Sequence, residues 1–375
     1  MKSLLRKIPK QNYLILILGL ILICSIMIPS LARYKNRNTI KDIEVWDGNV
    51  ATSYRSGSGT LEDPYIISNG NELAYFAQML KTTDYADTYF ELNKDIVLND
   101  GIFSYDEEGI KYKLNNTTFY VKENTNEIYD NVDKTGTKIK NINLFESLNN
   151  FKGNLDGNYF RIYGLYISSE NEEVGLFTNL SGNVSNLYVE NSMIYGGNIT
   201  AGIASSATNS NITNVLYNGY VVGTNEELTK TETFNVPTIS NFSNIMIPYI
   251  KGDITNVTIK GSIGENKIKI NNNEVTGDFS LDLGNISKIV IDTNITLDNL
   301  TYDVTYNYGI SSGIVANADK ITLNNVINKA NIIGKNSASL VGYTNDITIN
   351  KSYNNGTLTG DKTSGLINKL HGKGT

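Results

Sequence analysis

The chain has 375 residues and a formal net charge of −6 at pH 7, with one Cys and one His. These counts exclude a disulfide framework, Cys/His zinc sites, Ser-His or Cys-His nucleophilic pairs and a His-Glu-x-x-His metalloprotease. The acidic balance, with no visible basic stripe, makes nucleic acid a poor partner. A composition of 32 Gly, 24 Tyr and only 5 Pro favours a turn-rich, all-β protein.

The N-terminal region contains an uncharged run at residues 13–32, YLILILGLILICSIMIPSLA. About 20 residues make a helix of roughly 30 Å, the thickness of a bilayer core. The run follows four basic residues, Lys2, Arg6, Lys7 and Lys10. We therefore predict a short cytoplasmic tail at 1–12 and a single-pass transmembrane signal anchor at 13–32, with the rest extracellular. The alternative is a signal peptide that is cleaved near Ala32, which would leave a secreted protein.

The next segments are a linker and an entry cap. Residues 33–45 are charged and aperiodic, which is typical of a juxtamembrane linker. Residues 46–150 show turn signals, short strands at 65–67, 89–92 and 96–98, and one amphipathic helix at about 71–81. Residues 101–140 alternate weakly and carry many charges, which predicts a hairpin insertion that projects from the body.

From Phe151 to about residue 370 the chain repeats with a period of about 26 residues. The repeat contains a small residue before an apolar one, then Asn at the end of a short alternating strand. The small positions are Gly175, Gly202, Gly313 and Gly365, and the Asn positions are Asn186, Asn214, Asn256 and Asn325. Units of this length with several short strands and no crossover helix must stack to bury their apolar faces, which favours a parallel β-helix. Asn is then a structural residue, because it tolerates left-handed turns and stacks into ladders.

These residues resemble the GLUG repeats of bacterial surface proteins. The preceding stretch, with Trp46-Asp47-Gly48, Asp63-Pro64-Tyr65-Ile66-Ile67 and Asp156-Gly157, resembles the entry segment that commonly precedes such repeats. The resemblance covers most of 46–370 and implies a right-handed parallel β-helix, a solenoid on the exterior of a bacterium. Such repeats occur in adhesins and in stalks of larger enzymes, including immunoglobulin A peptidases. The peptidase chemistry is not implied here, because the chain has no metal-binding helix motif.

The search for chemistry yields few candidate residues. Asp253, Asp319 and Asp346 fall before inward Ile strands, where a turn Asp belongs, and His371 lies in the final five residues, where we expect it to be exposed. We predict no catalytic residue, no cofactor and no metal site. Repeated tyrosines are the one candidate binding feature, as an outward aromatic strip that stacks on sugars or a protein partner. They are Tyr163, Tyr166, Tyr188, Tyr195, Tyr217 and Tyr220. Ordinary sheet packing explains these tyrosines equally well.

The favoured function is a membrane-anchored, non-catalytic surface protein that presents a rigid β-helix for adhesion or for binding of an envelope glycan or protein. One alternative is a carbohydrate-active β-helix enzyme, a polysaccharide lyase or glycoside hydrolase, with an unrecognised carboxylate site. Another is a non-catalytic stalk fragment of a larger surface protein. Two carboxylates and a Lys that converge in one groove, at the separation glycosidic cleavage uses, would favour the enzyme.

Overall fold

The computed structural model describes residues 43–224 and 226–375, and within it Val45–Thr375 form one compact unit. The described residues are mostly β-strand, with one α-helix and four parallel sheets. The all-β class is therefore confirmed at this level. No described helix has the length and apolarity that a membrane crossing requires. The predicted anchor at 13–32 lies outside the described residues.

The four parallel sheets are numbered by the order in which the chain visits them. Sheet 1 contains Tyr65–Ile67, Tyr89–Leu92, Asn154–Asp156, Asn183–Ser185, Asn211–Thr213, Ile321–Asn324 and Ile347–Asn350. Sheet 2 contains Ile96–Val97, Arg161–Tyr163, Tyr166–Ser168, Tyr188–Tyr195, Leu216–Val222, Ile327–Asn328, Asn331–Ile333, Tyr353–Asn354 and Thr357–Thr359. Sheet 3 contains Glu173–Val174, Ile199–Ala201, Ile310–Ser312, Asn336–Ala338 and Lys362–Ser364. Sheet 4 contains Phe177–Leu180, Ala204–Thr208, Val315–Asp319, Val341–Thr344 and Ile367–Leu370.

From Asn154 onward the chain runs through sheets 1, 2, 3 and 4 in that order and then returns to sheet 1. We call one such passage a circuit. Each strand pairs in parallel with the equivalent strand of the next circuit, as Val184 does with Ile212 and Leu323 with Ile349. The inward residues of sheets 1, 2 and 4 form one continuous apolar core, in which Val184, Ile212 and Leu323 are fully buried and to which sheet 3 contributes Val174.

The helix Gly70–Met79 packs on the first end of this core. The side chain of Asn69 accepts a hydrogen bond from the Glu72 N–H at 2.9 Å, and the Glu72 carboxylate accepts one from the Ser68 N–H at 2.6 Å. This reciprocal cap fixes where the helix begins. Its buried face contributes Leu73 and Phe76 to the core of the circuits.

Two antiparallel sheets interrupt the circuits. Insertion 1 contains Ile102–Asp106, Gly109–Leu114, Thr117–Val121, Glu127–Tyr129 and Lys138–Asn141. Its apolar face covers Tyr166 and Met193 on the outer side of sheet 2, so the prediction that this insertion projects from the body is wrong.

Insertion 2 lies between the sheet 2 strand Leu216–Val222 and the sheet 3 strand Ile310–Ser312. It contains Leu228–Asn235, Ser243–Met246, Asp253–Ile270, Asn273–Gly284, Lys288–Asp292 and Thr301–Tyr308. It packs on the outer side of sheets 3 and 4, where it covers Ala201, Ile310 and Tyr343. Asn256 lies in the strand Asp253–Ile270 of this insertion, where it pairs antiparallel with Thr305, and so does not belong to the circuits as predicted.

Candidate functional site

The outer side of sheet 1 is an open polar surface, which we call the amide face. Strand pairing aligns its outward residues into two columns, and every one of them is half-buried or exposed. The first column is Tyr89, Asn154, Asn183, Asn211, Thr322 and Thr348, and the second is Glu91, Asp156, Ser185, Thr213, Asn324 and Asn350. On the four strands that follow Asn154–Asp156 in the sheet, all eight outward positions hold an uncharged amide or hydroxyl side chain.

Hydrogen bonds between circuits fix the orientation of the amides in the first column. The Asn183 Nδ2 donates to the Asn154 Oδ1 at 2.8 Å, and the Asn211 Nδ2 donates to the Asn183 Oδ1 at 2.9 Å. A primary amide has two N–H donors and two acceptor lone pairs. The ladder uses one N–H of Asn183 and both lone pairs of its oxygen, because the Asn211 backbone N–H also donates to the Asn183 Oδ1, at 3.1 Å. Within the ladder, Asn154 and Asn211 each keep a donor and an acceptor for a ligand, whereas Asn183 keeps one N–H.

The amide face differs from the outer side of sheet 4, although strands of the same circuits form both. The outward column of sheet 4 contains Ser206, Asn317 and Tyr343, all of which are buried against insertion 2. Insertion 1 covers part of sheet 2 in the same way. Sheet 1 is therefore the sheet whose outward columns both stay accessible along six neighbouring strands.

A groove lies at the end of the amide face nearest the helix. It has a volume of about 250 Å³ and is lined by Leu61, Pro64, Tyr89, Glu91, Asn154 and Asp156, among others. Leu61 is 64% exposed on the loop that forms one wall. The groove combines an aromatic ring, apolar carbon and carboxylate oxygens, which are the groups that bind sugar rings and their hydroxyls.

A third column borders the amide face and contains three of the predicted Asn residues. Asn186, Asn214 and Asn325 have φ of 51°, 54° and 54°, respectively. The Asn214 Nδ2 donates to Asn186 Oδ1 at 2.8 Å, and the Asn325 Nδ2 donates to Asn214 Oδ1 at 2.8 Å. The next residues, Leu187, Val215 and Val326, are buried in the core. These three Asn residues therefore form a ladder of side-chain amides at left-handed turns, which we call the turn ladder. Asn256 lies apart from it and instead donates to Asp282 in insertion 2.

The predicted glycines also form a column, at the boundary between sheets 3 and 4. A Cβ on Gly202 would lie 2.3 Å from the Gly313 carbonyl oxygen, and one on Gly313 would lie 2.4 Å from the Ser339 oxygen. Gly175 faces the Ala201 oxygen in the same way, whereas Gly365, in the last circuit, has no neighbour within 4 Å of the added atom. Close approach of the backbones explains the small residues at the first three positions.

The six predicted tyrosines do not form one exposed strip. Tyr166 and Tyr217 are fully buried, Tyr166 beneath insertion 1 and Tyr217 inside the circuits, so the prediction is wrong for these two. Their hydroxyls donate to the backbone oxygens of Thr125 and Tyr220, as buried tyrosines require.

The other four are half-buried and lie in two places. Tyr195 and Tyr220 pack against insertion 1, while Tyr163 and Tyr188 lie elsewhere on sheet 2. Burial, and then the charge of Glu190, raises the pKa of Tyr163. Tyr188 contacts Tyr159 edge-to-face at 6.1 Å, and Tyr159, which the sequence pattern did not single out, is 40% exposed beside the turn ladder.

Charged residues converge where insertion 2 meets the last circuits. Lys362 Nζ lies 3.5 Å from Asp253 Oδ2 and 3.7 Å from Glu227 Oε1, and Lys369 Nζ donates to Asp253 Oδ1. Burial raises the pKa of Asp253, but the hydrogen bond from Lys369 and the charges of both lysines outweigh burial and hold that pKa below its ordinary value. Two carboxylates and a Lys thus meet here, yet Asp253 stays ionised near neutral pH and cannot serve as a general acid.

The predicted turn aspartates and the single His have separate roles. Asp319 accepts a hydrogen bond from Asn345, and Asp346 accepts one from the Lys373 N–H, whereas Asp253 begins a strand of insertion 2 rather than a turn. His371 is half-buried and not exposed as predicted: its ring lies 5.4 Å from that of Tyr249. Burial, then the charge of Lys369, lowers the pKa of His371.

A second charged cluster lies on the outer side of sheet 2, and sequence reasoning missed it. Arg161 is 7% exposed; its Nε donates to Asp95 Oδ2 at 2.8 Å, and its backbone N–H donates to Asp95 Oδ1 at 2.7 Å. Glu190 Oε2 lies 3.8 Å from Arg161 Nη1. The available signal was the scarcity of Arg, which after residue 41 occurs only at positions 55 and 161, since Arg is the residue best suited to buried ion pairs.

Comparison of the chain with family models, with curated proteins and with solved structures finds no match.

Proposed function

We propose that this chain is a membrane-anchored, non-catalytic protein of the bacterial cell surface that uses a right-handed parallel β-helix to bind a glycan or protein. The open amide face carries this proposal. A surface to which each circuit contributes two outward residues offers many equivalent weak contacts, which suits recognition of a repeating ligand.

The path of the chain supports the proposed finer fold. Where no insertion intervenes, residues pair with equivalents 26 to 29 positions away in successive circuits, as Asn328 does with Asn354 and Ser185 with Asp156. Four parallel sheets visited in constant order support a parallel β-helix. The right-handed sense rests on the strong preference of parallel crossovers and on the resemblance to GLUG repeats, which we propose as the family.

The placement at the surface rests on the uncharged run at 13–32 and its basic flank. Protease added to intact cells should remove the part of the chain from Trp46 onward and leave a small membrane-bound fragment. If cleavage near Ala32 releases the protein, an antibody against the part from Trp46 onward will instead detect it in the medium. Complete protection in unpermeabilised cells, with digestion after lysis, would overturn an exterior location.

The binding function is tested with the full-length chain in mild detergent, on a panel of polysaccharides and on isolated cell envelopes. We expect the polysaccharides or the cell envelopes to retain the chain saturably and with low affinity. We expect no change in the length of the bound polysaccharide. Absence of retention on every surface would contradict the proposal and favour the alternative of a passive stalk within a larger surface protein.

The enzyme alternative has a specific observation in its favour, the convergence of Glu227, Asp253 and Lys362. It requires release of reducing ends or of unsaturated uronates from the same panel. Loss of that release in Glu227→Gln or Asp253→Asn, but not in Asp84→Asn, would replace the non-catalytic proposal. Asp84 is a suitable control because it also pairs with a lysine, Lys152, on an exposed surface.

A further inference from the structure

We infer that the amide face binds an uncharged, extended glycan that lies across the strands of sheet 1, with one end in the groove beside Tyr89. This inference rests on the proposed binding function and names the ligand class and its site.

The charge of the amide face selects the ligand. Neither outward column contains Lys or Arg, and the two charges present, Glu91 and Asp156, are both acidic and both lie at the groove end. An anionic polysaccharide would lose its hydration against this surface without gaining a countercharge. A sugar hydroxyl donates and accepts at once, so it can pair with the free N–H and the free lone pair of Asn154 or Asn211, and with the free N–H of Asn183.

The repeat of the amide face suits a linear polymer. Equivalent residues recur once per strand, and neighbouring strands lie ~4.8 Å apart, so six strands extend over roughly 24 Å. An extended sugar chain across the strands would meet a similar set of amides at each step. Because Asn183 is held on both sides by Asn154 and Asn211, the donors are already oriented before the ligand arrives.

The groove provides an end site. Tyr89, Leu61 and Pro64 supply apolar carbon against which the C–H face of one sugar ring can pack. Glu91 and Asp156 line the same groove and can accept hydrogen bonds from that ring's hydroxyls.

A protein partner fits this surface less well. Stable protein interfaces depend on a central cluster of apolar or aromatic anchors that becomes fully desolvated. The middle of the amide face, from Asn183 and Ser185 to Thr322 and Asn324, contains amides and hydroxyls only. A glycan, whose own surface is mostly hydroxyl, needs no such anchor cluster.

The test is affinity electrophoresis of the full-length chain in mild detergent through gels that contain a neutral polysaccharide, such as glucomannan or hydroxyethyl cellulose, or an anionic one, such as alginate. Ser185→Arg and Thr213→Arg each place a long charged side chain in the centre of the amide face. Thr231→Arg adds the same side chain to an exposed strand of insertion 2 and is the matched control. Thermal midpoints of all variants show whether they fold.

We expect the unaltered chain and Thr231→Arg to be retarded by a neutral polysaccharide, and both face variants to bind at least tenfold more weakly with unchanged midpoints. Tyr89→Ala should weaken binding several-fold. Retardation by a neutral polymer that the face variants retain would overturn the assigned site but leave the binding function in place. Retardation by alginate alone would overturn the ligand class. If a face variant unfolds, Asn211→Ala, at an exposed ladder end, provides the same comparison.

Discussion

The side-chain amide of Asn325 donates to the side chain of Asn214 across a separation of 111 residues in sequence, at 2.8 Å. Asn214 in turn donates to Asn186, which lies 28 residues earlier. The same contact between neighbouring circuits thus occurs whether or not an insertion separates them. The turn ladder is a property of the circuits themselves.

Replacement of Asn214 should therefore lower stability through two separable effects. Asn214→Ala removes hydrogen bonds worth about 0.5–1.5 kcal/mol each. It also replaces Asn by a residue that tolerates the left-handed conformation less well, a conformation that costs most L-residues about 1–2 kcal/mol. We expect a total loss of about 2–3 kcal/mol in urea denaturation. Asn214→Gly avoids the backbone cost and should lose about 1 kcal/mol less, while Asn218→Ala, at an exposed position, should change little. Equal effects of the Ala and Gly variants would argue against a conformational role.

The column of small residues makes a second prediction. A methyl group on Gly202 would meet the Gly313 oxygen at 2.3 Å and the Tyr217 ring at 2.5 Å, so Gly202→Ala must displace backbone. We expect destabilisation by about 1–3 kcal/mol or failure to fold. Gly365→Ala adds the same methyl where nothing lies within 4 Å and should be tolerated. Similar melting curves for the two variants would contradict the proposed close approach.

Tyr217 and Tyr188 should respond differently to the same change. Tyr217 is fully buried in the core, and Tyr217→Ser should cost about 3–5 kcal/mol, as loss of a large buried aromatic does. Tyr217→Phe keeps the ring and loses only the hydrogen bond to Tyr220, at a cost of about 1 kcal/mol. Tyr188→Ser, at a half-buried position, should lose clearly less than Tyr217→Ser. Thermal unfolding followed by circular dichroism measures the stability of all three variants. A larger loss of stability in Tyr188→Ser than in Tyr217→Ser would contradict the assignment of Tyr217 to the core.

The charged contact between insertion 2 and the last circuits should weaken in acid. The pKa of Asp253 is held below its ordinary value of 3.8 in the folded chain, so its ion pairs stabilise the fold above that pH. The contribution disappears as the pH falls through the folded-state pKa. The stability difference between the unaltered chain and Asp253→Asn should thus be present at pH 6 and shrink below about pH 3.8. Asp84→Asn, at an exposed pair, should differ less from the unaltered chain at pH 6, and a pH-independent Asp253 effect would contradict the ion-pair explanation.

Residue patterns predict what depends on local repetition. Small residues at positions equivalent to Gly202, and Asn at positions equivalent to Asn214, recur at regular spacing. They do so because each circuit needs one close backbone approach and one left-handed turn, and both requirements are visible in the sequence. The helix near Gly70 likewise has its own cap signal in Asn69 and Glu72.

The sequence pattern fails to predict the location or burial of a residue where these depend on segments distant in sequence. Asn256 lies in an Ile-Thr-Asn-Val stretch like that around Asn214, but its neighbours are antiparallel strands of insertion 2. Tyr166 alternates like an outward residue, and its burial depends on insertion 1, which precedes it in sequence and folds back over it. The amide face was missed for the same reason, since its openness is set by where the two insertions do not pack.

Insertion 2 leaves and re-enters the circuits at one place. Just before it, the Thr224 N–H donates to the Gly197 oxygen, and just after it, the Ile310 N–H donates to the adjacent Asn198 oxygen. Because loop-closure entropy grows only with the logarithm of length, raising the separation of paired residues from 26 to 111 adds about 1.3 kcal/mol. The length of the inserted segment therefore adds little to the free-energy cost of closing the chain at this junction, and the register on either side is preserved. During synthesis, the circuits before the junction can assemble while the inserted sheet is still being translated.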